Sequence, residues 1–171
     1  MTANFVEWDM AQPMSMPTVL ERVALHDSYV DRLSIVSDGR LTVDGKIDRV
    51  WNRSIPERFD TLMVRVDHPY AVRWIRGAID VLGLCVMTAE SVVVDSSARG
   101  ALLDDAEFES YVFSSDGVVV HPAEDATLTR TRFAFLDEAT LEILHGASVR
   151  AVVVNSDSRA LDVSTIAGDS T

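Results

Sequence analysis

The chain has 171 residues, 47% of them apolar, and a formal net charge of −12. This length and apolar content suit one domain with a real core and argue against wholesale disorder, and no apolar run approaches the roughly 20 residues of a bilayer-spanning helix. The acidic balance argues against unassisted nucleic-acid binding, because neutralising phosphates requires a basic face.

The charge is unevenly placed. Residues 1–100 hold 14 acidic and 11 basic side chains, a net −3, whereas residues 101–171 hold 13 and 4, a net −9. A basic partner would be drawn to the acidic side, chiefly through a faster encounter. Cys85 is the sole cysteine, so neither a disulfide framework nor a thiolate zinc site is expected. The start of the chain, MTANFVEWDMAQPMSMP, carries Glu7 and Asp9 and no basic residue. It lacks the charged region and apolar stretch of a signal peptide. A cytoplasmic protein is therefore the expectation. Lys46 is the one lysine among many arginines, which suggests a GC-rich bacterial genome.

Residues 1–14 read as an N-terminal arm, with Phe5, Trp8 and Met10 available to tuck onto the domain. Residues 15–24 read as a short helix: Ser15 is a plausible N-cap, Pro17 falls in the first turn, and Val19, Leu20 and Val23 share a face. A hairpin follows over 25–48. Leu33 and Ile35 alternate with polar neighbours on one side of Asp38-Gly39, and Leu41, Val43 and Ile47 do so on the other. An Asp-Gly pair between two such runs supplies the positive φ angles of a tight hairpin turn.

Residues 49–60, with Pro56 and several charges, read as a loop, and Thr61 to Val66 as a strand. The stretch 69–82 fits a helix, with Pro69 at its first position and Gly83 ending it. Ala71, Trp74, Ile75, Ala78, Ile79 and Leu82 then form one apolar stripe. A strand reading of the same stretch keeps only Val72 and Trp74 in alternation. Farther on, LCVMT and VVVD read as two central strands joined through Ala89-Glu90-Ser91. Residues 100–109 are a helical turn or a loop, and Asp116-Gly117 repeats the hairpin device. Residues 127–154 read as three further strands in an antiparallel meander: Phe133 and Phe135 alternate, as do Leu141 and Ile143, and Val149, Ala151 and Val153 close the run. Residues 155–171 are Ser- and Asp-rich and read as a loosely held tail.

The expected architecture is a β-rich α+β domain over 1–154. It is a mostly antiparallel sheet or sandwich of about eight or nine strands with two helices, at about 15–24 and 69–82.

The search for chemistry finds little. His26, His68, His121 and His145 include no pair at helical metal-ligand spacing. His26-Asp27 has residue types that can bind metal, but it lies at the mouth of a hairpin. Side chains of Asp27 and Ser28 satisfying backbone donors is the simpler account. Cys85 sits in an apolar run and reads as a buried small hydrophobe. His145-Gly146 lies between two strands and reads as a turn. No nucleophile elbow, phosphate loop or dinucleotide fingerprint is present. No catalytic, cofactor or metal residue is therefore assigned. The best binding candidate is the acidic, aromatic-bearing stretch of Asp104, Asp105, Glu107, Phe108, Glu109 and Tyr111, where charge would steer a basic surface and the rings would supply buried area.

Two segments carry a family resemblance. LHDSYVDRLSIVSDGRLTV (25–43) resembles a pattern of small bacterial immunity proteins of polymorphic toxins, in which a His-Asp-Ser step precedes a strand, a polar-Gly turn and a second strand. TRFAFLDEATLEILHGASVRAVVV (131–154) is similar to their Arg-Phe-x-Phe strand, acidic turn, Leu-x-Ile strand and Val-Arg strand. The resemblance implies a non-enzymatic cytoplasmic inhibitor that occludes a cognate toxin, with no catalytic residues. Two other classes stay open: a secretion-type chaperone dimer, and an enzyme using an unrecognised His/carboxylate site. The sequence sets no oligomeric state.

Overall fold

A computed structural model describes residues 13–35, 41–67, 69–75, 84–94, 127–136 and 138–155. Within them are nine strands and one helix: β1 (Met14–Ser15), α1 (Met16–Arg22), β2 (Tyr29–Ile35), β3 (Leu41–Lys46), β4 (Thr61–Val66), β5 (Pro69–Ile75), β6 (Leu84–Val94), β7 (Leu128–Phe135), β8 (Thr140–Gly146) and β9 (Ser148–Val154). The strands form one antiparallel sheet in the order β1-β9-β4-β3-β2-β6-β7-β8-β5. No helix among the described residues is long and apolar enough to cross a membrane.

The helix begins as the sequence dictates. Ser15 has extended backbone and its side chain accepts from Thr18 N, while Pro17 lies in the first turn, where a missing N–H costs nothing. Met16, Val19 and Val23 enter the core. The strands flanking the first Asp-Gly pair do make a hairpin, with Leu33 opposite Val43 and Ile35 opposite Leu41. A bulge falls between Val30 and Arg32. Gly45 makes the close approach there possible, because a Cβ on it would lie 3.0 Å from the Tyr29 carbonyl oxygen.

The sheet is open, with β1 and β5 at its edges, yet both halves bury one core. Inward residues of β3, β4 and β9 (Val43, Val64, Ala151) share a single core with those of β7 and β8 (Phe133, Ile143). Each of the Val, Ile and Phe side chains contributes about 1.5–3 kcal/mol by leaving water. β6 joins the halves: Leu84 and Cys85 pair with β2, and Val86 to Val94 pair with β7. All residues of β4 and β8 are buried, so both faces of these strands are covered. On the far face of β4, Arg65 lies directly opposite Arg150 of β9. Like charges so placed repel, and Asp67 resolves the conflict, 3.5 Å from Arg65 Nε and 3.0 Å from Arg150 Nε.

Three expectations are corrected. The helix expected over 69–82 is a strand over its described part, Pro69–Ile75, paired along β8. Tyr70, Val72, Trp74 and Ile75 are β-formers, and proline is tolerated at the first residue of a strand at a sheet edge. Within this segment, pairing with β8 overrules the helical spacing of Ala71, Trp74 and Ile75, and the rest of the expected helix, 76–82, lies outside the described residues. Second, Ala89-Glu90-Ser91 is no connection. It holds no Gly, Pro, Asn or Asp to turn the chain, and β6 runs unbroken through it. Third, the last three strands are not a simple meander. β7 and β8 are neighbours, but β9 crosses to lie between β1 and β4.

Candidate functional site

The acidic stretch singled out in the sequence, Asp104 to Tyr111, lies outside the described residues, as do His68, His121 and the second Asp-Gly pair. The described residues bring together a different group, at the corner where the chain enters β2.

The loop 47–60 is firmly tied. Asn52, buried, donates to the carbonyls of Ala24 and Asp48 and accepts from Ala24 N, at 2.8–2.9 Å. Arg49 donates to the Phe59 and Ile55 carbonyls, both at 2.8 Å, and Ile55 and Phe59 are buried. The Asp48 carboxylate accepts from Val50 N and Trp51 N, closing a local turn. Ser28 Oγ accepts from Asp48 N at 3.0 Å. These bonds carry Trp51 to the surface, where it is 56% exposed.

Asp27 completes the corner. Its φ of 61° is left-handed, a conformation Asp tolerates better than most residues. Its amide donates to the Val86 carbonyl, and Val86 N donates to the Ser28 carbonyl. The carboxylate, 47% exposed, accepts from Trp51 Nε1 at 3.0 Å. His26 Nδ1 lies 2.7 Å from the Met87 carbonyl oxygen. A carbonyl only accepts, so Nδ1 carries the proton. His26 Nε2 is 3.5 Å from the same Asp27 oxygen, and the imidazole meets the indole edge-to-face at 5.2 Å. Tyr29, Val50 and Met87 are exposed nearby in the chain or sheet. Ser28 thus satisfies a backbone donor as expected, but Asp27 spends its side chain on an indole instead.

Cys85 is half-buried rather than fully buried, with Sγ 4.0 Å from Asp27 Oδ1. Burial pushes its thiol up, and the Asp27 and Asp48 carboxylates push it further the same way, against a smaller opposing pull from the Tyr29 hydroxyl bonded to it. A nucleophilic cysteine needs its thiolate favoured; here the surroundings favour the thiol. Among the described residues no three His, Cys, Asp or Glu side chains are grouped to hold a metal.

A second polar group is buried. His145 is 1% exposed and sits in β8, not in a turn, which corrects the reading of His145-Gly146. Its Nδ1 donates to the Gly146 carbonyl at 2.7 Å. Nε2 must then accept from the Thr131 hydroxyl, also at 2.7 Å, and Thr131 from Ser91 at 3.0 Å. This chain crosses β8, β7 and β6. Burial lowers the His145 pKa to about 4, and the bond to Gly146 opposes it more weakly. A void of ≈ 10 Å³ beside it is lined by Val43, Val66, Phe133 and Ile143, among others, and is too small for an organic ligand.

Nothing in the sequence pattern singles out Trp51, one of two aromatics in a charged loop. The available signal is Asp48 three residues before it, a side chain suited to bonding backbone amides just downstream. Comparison with family models, curated proteins and solved structures found no match.

Proposed function

We propose that this chain is a non-enzymatic acidic binding protein, an immunity-type inhibitor that occludes a basic protein partner such as a toxin. The observation that carries the proposal is the corner around Trp51. A large aromatic side chain is exposed yet held by a hydrogen bond to Asp27 and by a turn capped by Asp48. Such a side chain loses little freedom on binding, and Trp is among the residues most enriched at binding hot spots. Exposed Tyr29, Val50 and Met87 add apolar area. The net charge of −12 suits a basic partner. The acidic stretch at Asp104 and Asp105 is proposed to steer that partner's approach.

The partner to test is the protein encoded beside this chain in its genome. Purified neighbour protein binds the wild-type chain, and W51A weakens binding by about 2 kcal/mol, or ~30-fold, mainly through faster dissociation. Reversing charge at Asp104 and Asp105 slows association and flattens its salt dependence. Binding that is indifferent to W51A removes the corner from the interface. An unchanged association rate and salt dependence removes the acidic stretch.

A further inference from the structure

We propose that the Trp51 corner receives an arginine side chain of the basic partner, its guanidinium lying against the exposed indole and donating to the Asp27 carboxylate. The inference rests on the binding reading above and specifies what that site recognises.

The corner has the two parts a guanidinium uses. Trp is the strongest aromatic acceptor of a cation, and this indole is more than half exposed with its orientation fixed by the Nε1 bond. The Asp27 carboxylate lies at the indole edge and has capacity left. Oδ2 takes the indole N–H and faces His26 Nε2, whereas the contact at Oδ1 is the Cys85 thiol at 4.0 Å, a weak donor. Among the described residues the basic side chain facing it is His26, itself held by the Met87 carbonyl. A cation brought to Asp27 therefore displaces no arginine or lysine of the described chain.

Arginine fits better than lysine. Its planar group stacks on an aromatic face while its forked N–H donors reach a carboxylate, and it sheds water more readily than an ammonium. The imidazole of His26, edge-to-face with the indole, stands beside the site. The negative charge of the whole chain brings cations toward it.

The test uses the full chain and two probes, N-acetyl-arginine amide and N-acetyl-lysine amide. Each is titrated while the Trp51 indole N–H is followed by NMR, its signal assigned by its loss in W51F. The arginine probe is expected to shift that signal to saturation, the lysine probe to shift it less than half as far, and D27N to abolish saturation. Asn accepts the indole N–H and tolerates the left-handed backbone, so D27N removes charge without removing the corner. Equal shifts from both probes, no shift from either, or an undiminished titration in D27N overturns the arginine assignment. The neighbour-protein assay with W51A judges the parent reading separately. Binding sensitive to W51A but not to D27N leaves the interface standing and this inference refuted.

Discussion

His26 and His145 are anchored alike and behave differently. Each donates Nδ1–H to a backbone carbonyl at 2.7 Å. Beyond that bond they diverge. His26 is half-exposed and its Nε2 faces a carboxylate, whereas His145 is buried and its Nε2 takes a hydroxyl proton from Thr131. The shared anchor fixes ring and tautomer in both. What lies at the other nitrogen, and how much water reaches it, decides whether the group is a core element or a surface one.

The largest expected effect is acid sensitivity at the buried site. The folded pKa of His145 is about 4, against 6.5 for a solvent-exposed imidazole such as the unfolded chain presents. Between those values the unfolded chain binds a proton that the folded chain excludes. The stability involved is complete above pH ~6.5, falls as pH drops toward ~4, and amounts to about 3 kcal/mol. Urea midpoints across that window should decline less steeply in H145Q than in the wild type. Matching slopes would show that His145 is not kept neutral by the fold.

A smaller effect separates the hydroxyl chain from burial alone. T131V keeps shape but leaves the His145 Nε2 acceptor without its donor, at a cost of about 2 kcal/mol near neutral pH. A urea midpoint within error of wild type would contradict the relay from Ser91 to His145.

The smallest effects belong to the exposed histidine and its partner. H26A should change stability by no more than ~0.5 kcal/mol, as is usual for surface substitutions. D27N removes one of the two carboxylates that raise the Cys85 thiol. The pH profile of thiol alkylation should then move to lower pH with little change in melting temperature. Cys85 is the sole cysteine, so the reagent reports on this site only. A profile that stays in place would separate Cys85 from Asp27.

Much of the core was legible in the sequence. Leu62, Val64 and Val66, Phe133 and Phe135, and Val149, Ala151 and Val153 all face inward as period-two alternation implies. Such alternation is local and survives any arrangement of neighbouring strands. The failures are non-local. Pro69–Ile75 satisfies both helical and strand periodicity, and the pairing with β8 that decides the matter appears nowhere in its own residues. The crossing of β9 to β4 is invisible for the same reason. The corner was half legible. His26-Asp27 stands out by residue type, but its counterpart Trp51 lies 24 positions later in a loop without pattern. His145 was misplaced because His145-Gly146 falls between two strand-like runs, while both residues are buried at the end of β8.

The position of β9 bears on when the molecule can assemble. Ser148–Val154 is the last described strand, and it is the partner of both β1 and β4. During synthesis β4 leaves the ribosome with only β3 to pair with, its other edge open until some eighty more residues have followed. Its apolar positions Leu62, Val64 and Val66 stay exposed to other chains for that interval. Contacts between such distant positions also close slowly, since long loops must be ordered before the contacts can compensate. A nascent chain arrested before residue 148 should therefore be sensitive to protease and dependent on holding factors. One released after 154 can seat the strand and withdraw that edge from its neighbours.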